Sequence, residues 1–370
     1  MKIISLQKNL KNSLSATSHI AQRNTSLPIL NNILISAKDG VIKLVSTNLE
    51  IGITSNLRGK IEEEGSFTVD AKTFSEYSSL LDNDKVLLNI DNENLKIECG
   101  SYNTKIKGIS AEEFPLIPQI ERVDGIKIPA QKLKQALSQI VFSVSSDENR
   151  AELSGVLFSF KENKLLIVGT DSYRLAEKEI SISSGVGDYK MIIPAKTIQE
   201  LIRIISIDQD TEEVGDSIML YTSDNQCLFV FGGIELVSRL IDGHYPDYKQ
   251  IIPSKHRCKA IVPKDELVRA VKAAAIFSRT GINDIVLSFS GNNLKIDSAS
   301  GQTGEQSSVI LSNISGDESN ITLNYKYVLD GLMVMAGDEI IFEVVDDQTP
   351  CIIKDTKDEA YTYLVMPIKK

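Results

Sequence analysis

The chain is 370 residues long, 42% hydrophobic and net −10 in charge, enough to bury a core in each of several ordinary domains. It has no apolar run long enough to cross a membrane and no charged-then-apolar start, so neither a membrane span nor a secretory signal is expected. Cys99, Cys227, Cys258 and Cys351 are scattered, His19, His244 and His256 are few, and no phosphate loop, nucleophile elbow or dinucleotide fingerprint occurs; the expectation is a cytoplasmic protein with no disulfide frame, metal, cofactor or catalytic residue.

In chain order, one short phrase recurs. An apolar, strand-like pair runs into Leu, Asp, Pro or Asn, and apolar residues follow four and eight positions later. The copies begin at Leu6 (Leu10, Leu14), Asp70 (Phe74, Ser78), Pro129 (Leu133, Leu137), Pro194 (Ile198, Ile202), Pro263 (Leu267, Val271) and Asn324 (Val328, Leu332). Their spacing is roughly 60–70 residues, and only Ser78 breaks the apolar pattern. Pro suits the first turn of a helix, where its missing N–H needs no partner, and Asp or Asn caps free N–H groups. Apolar residues four apart then mark one buried face. Helices are therefore predicted over 6–20, 70–81, 130–144, 194–205, 263–277 and 324–335.

Between them lie strand-rich stretches at 27–50, 153–174 and 285–300. Each contains a polar turn followed by alternating apolar residues: Val41-Ile42-Lys43-Leu44, Lys164-Leu165-Leu166-Ile167 and Asn293-Leu294-Lys295-Ile296. The first two end alike, in Thr47-Asn48 and Thr170-Asp171. The copies thus pair into a larger unit of about 125 residues, giving three domains of two strand–helix–strands halves each, at 1–123, 124–252 and 253–370. The fold class is α+β.

Charge is unevenly spread. By residue count the predicted helices carry about +5, which leaves about −15 for the rest. Lys8, Lys72, Lys196 and Lys326 each fall two positions after the start of a copy, and Arg203 and Lys272 fall nine after. At 100° per residue those sites lie opposite the buried stripe. Repeated modules, each presenting one basic helix face, can close into a ring with sheets outside and helices inside. Packed about 8–10 Å apart, twelve helices leave a hole of roughly 27 Å, wide enough for duplex DNA, whereas six do not. Geometry therefore favours two chains, head to tail.

The layout, with Leu27-Pro28-Ile29-Leu30, Gly169-Thr170-Asp171-Ser172-Tyr173-Arg174-Leu175, Asp242-Gly243-His244-Tyr245-Pro246-Asp247-Tyr248 and the ending Tyr363-Leu364-Val365-Met366-Pro367-Ile368, resembles the bacterial DNA polymerase III beta subunits, the sliding clamps, along the whole chain. The resemblance implies a ring-shaped homodimer around double-stranded DNA, held without sequence preference. Its implied partners are the replicative polymerase, the clamp loader, and other polymerases and repair proteins that dock by short peptides. It implies a peptide pocket of Leu153, Thr170, Ser172, Tyr173, Arg174, Leu175, Pro246, Ile251, Leu364, Val365, Met366, Pro367 and Ile368. Gln250 stands where many relatives carry Arg, and Ser172-Tyr173 where Gly-His is common. The DNA-facing set comprises Lys8, Arg23, Lys134, Arg150, Lys196, Arg203 and Lys272. The seam of the dimer is expected to set Ile276 and Phe277 of one copy against Thr104 and Ile106 of the other. Two rival readings are an enzyme built on Thr170, Asp171 and Arg174, which lacks a nucleophile–base pair, and a scaffold that binds only proteins, which leaves the lysine phase unexplained.

Overall fold

The computed structural model describes residues 1–21, 26–82, 84–147, 149–207 and 216–369, without the side chains of 183–186. Among these residues the helices are α1 (Gln7–Thr17), α2 (Ala71–Leu80), α3 (Ala130–Ile140), α4 (Ala195–Ile207), α5 (Lys264–Ile276) and α6 (Tyr325–Val334). Each answers one predicted copy. Asp70 caps α2 by accepting from Thr73 N at 2.8 Å, and Asn324 caps α6 by accepting from Lys326 N at 2.9 Å.

Pro194 and Pro263 sit one residue outside the helices predicted to begin with them, as Pro129 was expected to. Pro263 is the cap of α5, with ψ of 123°, and Pro129 and Pro194 end the strands Ile126–Pro129 and Arg174–Pro194. A φ locked near −65° serves an extended residue as well as a helical one, so the ring closes the strand instead of opening the helix. On α4 the buried stripe is Ile198, Leu201, Ile204 and Ile205, and the predicted Ile202 is only half-buried. Ser78 holds its place on the buried face of α2, where its carbonyl accepts the Gln7 side-chain amide of α1 at 2.9 Å.

The chain divides into two compact units, Met1–Lys134 with Lys196–Leu240 and Gln135–Ala195 with Ile241–Lys370. The first holds a 13-stranded antiparallel sheet with Ile126–Pro129 at one edge and Gly59–Glu63 at the other. Within it Ile51–Leu57 pairs with Ile234–Arg239, Ser238 lying opposite Ile51. One of its cores gathers Ile3, Leu10 and Leu14 with Phe74, Leu88 and Leu95.

In the second unit are a seven-stranded and a four-stranded sheet, both antiparallel. The seven-stranded sheet begins with the long hairpin Gly155–Thr170 and Arg174–Pro194, which is joined to Asp358–Val365 through the pair Arg174–Val365. The four-stranded sheet ends at Gly304–Leu311, which among the described residues pairs only with Asn293–Ser300.

Candidate functional site

Three residues, Asp171 to Tyr173, turn the hairpin of the second unit. Thr170 Oγ1 donates to Arg174 O at 2.7 Å and accepts from Ser172 N at 3.1 Å. One Asp171 oxygen accepts from Tyr173 N and Arg174 N, each at 2.9 Å, and the other accepts from Arg174 Nε at 3.0 Å. A threonine and an aspartate thus saturate the turn, and Ser172 takes the left-handed φ of +79°. Both Asp171 oxygens are spent on this turn and on Arg174, so the enzyme reading finds no free base in it.

Arg174, expected in the pocket wall, is instead a pin beneath it. Its guanidinium reaches Asp330 on α6 at 2.5 Å and lies 4.6 Å from the Tyr327 ring centroid and 5.3 Å from that of Phe142. Burial works against its charge, yet Tyr363, Asp330 and Asp171 around it hold its pKa above the ordinary arginine value.

Above this pin the hairpin builds an apolar floor. Leu157, Val168, Leu175, Ile192, Tyr248 and Leu364 form one buried cluster, against which Leu166, Ile241, Tyr245, Ile252 and Met366 pack half-buried. The predicted Leu175, Leu364 and Met366 are brought together, and Thr170 borders them at the turn. The tail is stitched down: Met366 N donates to Tyr173 O and Ile368 N to Thr322 O, both at 2.8 Å. Leu364 and Val365 are indeed in a last strand, Asp358–Val365, and Val365, next along it, is buried like Pro367 but outside the cluster. Leu153 is buried too, likewise outside it. The rim is exposed: Tyr173 at 63%, with Ser172, Pro246 and Ile251. Gln250 is exposed and donates to Asp247 at 2.8 Å.

Sequence reasoning missed Tyr245 and Tyr248, although both stand in a quoted motif. Tyr248 donates its hydroxyl to Glu177 at 2.5 Å, and burial pushes both phenols well above their usual range. Leu157, Val168 and Ile192 were missed because a strand buried on both faces shows no alternation to mark its ligand side.

The basic candidates divide. Lys8, Lys196, Lys272 and Arg150 are exposed, as are Lys72 and Lys326, in keeping with the helical phase. Lys134 is half-buried, and Arg23 lies outside the described residues. Arg203 has another task. It donates to Glu200 at 2.9 Å, to Ala16 O at 2.6 Å and to Ser15 O, closing the carboxyl end of α1 against α4. Those carbonyls lack helical partners, and a guanidinium fork satisfies two of them at once.

The seam candidates divide as well. Ile276 is 69% exposed at the end of α5, whereas Phe277 is half-buried near Gly304. Thr104 is half-buried on an edge where, among the described residues, 102–107 pairs only with 94–99, but Ile106 opposes Leu95 and joins the core of the first unit. Its alternation points it inward, so it is packing rather than seam. Unforeseen are Val309 and the 73%-exposed Leu311 on the open edge strand Gly304–Leu311.

All four cysteines are buried, and burial pushes the Cys227 thiol up to about 12. No group of His, Cys, Asp or Glu among the described residues is placed to hold a metal, and no helix among them is long and apolar enough to cross a membrane.

Family profiles match in three places: the DNA polymerase III beta subunit N-terminal domain over 1–118, its central domain over 127–247 and its C-terminal domain over 249–369. A beta sliding clamp of Staphylococcus aureus is 30% identical over 356 residues, covering 93% of each chain. The chain is similar in structure to the DNA polymerase sliding clamp of Bacillus subtilis, with TM-score 0.92, 30% identity and coverage of 100% of this chain and 99% of that one. A putative DNA polymerase III beta subunit from Eubacterium rectale gives TM-score 0.91 at 30% identity, with 100% of both chains covered.

Proposed function

The chain belongs to the DNA polymerase III beta subunit family, and on that premise we propose how its surfaces divide the work of a DNA sliding clamp. A sliding clamp is not an enzyme; it dimerises, binds duplex DNA and docks the replicative polymerase and its other partners. Two copies close head to tail into a ring around the duplex, with domain boundaries near residues 123 and 252. Its place is the cytoplasm.

The partner peptide docks on the floor of Leu175, Leu364 and Met366, rimmed by Tyr173, Pro246 and Ile251. What supports this is a buried apolar cluster whose rim stays exposed, the usual form of an anchor pocket. DNA is met by Lys8, Lys196, Lys272 and Arg150, exposed and without an ion pair among the described residues. Lys134 contributes from a half-buried position. Such contacts reach phosphates and read no base, so they permit sliding. At the seam, Ile276 faces the partner's open edge around Thr104, with Val309 and Leu311 beside it.

The test is topological. Loaded on nicked circular DNA by a clamp loader, the protein should stay bound until the circle is cut and then slide off the ends. Retention on linear DNA after the cut would contradict a ring held by topology.

A further inference from the structure

The turn between the strands Val41–Thr47 and Ile51–Leu57 repeats the turn of the docking site bond for bond. Thr47 Oγ1 donates to Ile51 O at 2.9 Å and accepts from Leu49 N at 3.0 Å, as Thr170 does with Arg174 and Ser172. Asn48 Oδ1 accepts from Glu50 N at 3.0 Å and Ile51 N at 2.8 Å, as Asp171 does from the same two positions of its own turn. Leu49 has φ of +76°, beside +79° at Ser172. Past the neighbouring strand, Arg239 N donates to Glu50 O at 3.1 Å, as Met366 N does to Tyr173 O.

Carried along the strands, this correspondence sets Leu34, Val45 and Val237 where the docking floor has Leu157, Val168 and Leu364. Two of the differences shape the site. Gly52 stands where Leu175 fills the docking floor, and Lys43 where Leu166 packs. A Cβ on Gly52 would lie 2.9 Å from Ile117, so the strap of residues 111–122 crosses just there. Between strap and sheet remains a cavity of about 510 Å³, lined by Leu34, Val45, Leu228, Val237 and Lys43. Small-ligand and anchor pockets are of this size.

We propose that this cavity is a second docking site, for a short acidic peptide segment of a protein partner. Its apolar side chains enter over Val45 and Val237, and its carboxylate pairs with Lys43. Charge decides the sign: Arg122 is already paired with Glu235 at 2.7 Å, while Lys43 has no ion pair among the described residues. Leu116, 96% exposed beside the cavity, decides the size: a small molecule confined inside leaves it wet, whereas a peptide running out across the strap covers it. The likeness of the two turns rests on the peptide reading of the Leu175 site; the cavity and its charge do not.

The test titrates the methyl-labelled full-length dimer with acetyl-Leu-Leu-Asp-amide, with its Asn counterpart, and with octanoate. Methyl resonances of Val45 and Val237 should shift saturably with the Asp peptide. Binding should weaken about fivefold with the Asn peptide and in Lys43→Glu, as for one partly exposed ion pair. Resonances of Val168 and Leu175 report the first site separately. If they move while Val45 and Val237 stay still, the second site is refuted and the first stands. If only Val45 and Val237 move, the second site is upheld and the first reading fails for this peptide. Equal binding by Lys43→Glu overturns the acidic ligand. Octanoate saturating the same resonances well below the peptide concentration assigns the cavity to small amphipathic acids and overturns the peptide.

Discussion

Ser172 and Leu49 hold the left-handed conformation at equivalent places in two turns, and neither is glycine. For a residue with a Cβ that conformation costs about 1–2 kcal/mol, and a glycine there gives back about 0.5–1 kcal/mol in chain entropy. Ser172→Gly and Leu49→Gly should therefore each raise stability by about 0.5–1 kcal/mol, read from urea midpoints at unchanged slope. A fall in either midpoint would mean that the side chain contributes more in place than its backbone costs. The Thr–Asx pair at each turn was legible, since both residue types bond to a turning backbone. The role of Arg174 was not: its partner Asp330 is 156 positions away in sequence, and no local pattern announces such a pairing.

At the scale of elements, α4 shows how one helix carries two kinds of basic residue. Helical phase placed Lys196 and Arg203 on the same outward face; the structure leaves Lys196 exposed and ties Arg203 to Glu200 and to the end of α1. Glu200 is buried, with His19 as its other side-chain partner. Removing the guanidinium leaves a buried carboxylate and two helix-end carbonyls short of a donor, at a cost of about 2–3 kcal/mol once partial exposure is allowed for. Arg203→Ala should lower the unfolding free energy by that amount and Lys196→Ala by about zero, in the same denaturation series. Equal effects would return Arg203 to the exposed set. The helices themselves were readable because a buried stripe imposes a 3.6-residue period, and their caps follow from unmet N–H groups. Their end points drifted by a few residues, since the last turn answers to tertiary packing.

For the whole molecule the seam rests on exposed apolar side chains. Ile276, Val309 and Leu311 are large apolar side chains in water on the isolated chain, whereas Ile106 is already packed in the core. Ile276→Asp combined with Leu311→Asp should therefore weaken dimerisation by about 10²–10⁴-fold, from the loss of two apolar contacts worth roughly 1.5–3 kcal/mol each. Far-ultraviolet circular dichroism should be unchanged, because both residues lie outside the cores. Sedimentation that still shows a tight dimer would move the seam elsewhere. Phe277 is left intact in this design, since its half-buried ring packs near Gly304 and its loss would blur folding with assembly.

The sixfold strand-to-helix phrase, the α+β class, the exposed lysines at one helical phase and a last strand reaching Leu364 and Val365, though not on to Ile368, were all determined by the sequence alone. Each depends on short-range physics: periodicity, capping and turn chemistry act within about ten residues. Only the tertiary structure decided which arginines are pins, that Ile106 is core, that Tyr245 and Tyr248 pack in one apolar cluster with Leu175, and that a cavity lies between residues 111–122 and the sheet of the first unit. These depend on which distant strands become neighbours, and in an antiparallel sheet that choice lies in register and in the face each residue presents. A single sequence carries no local mark of either.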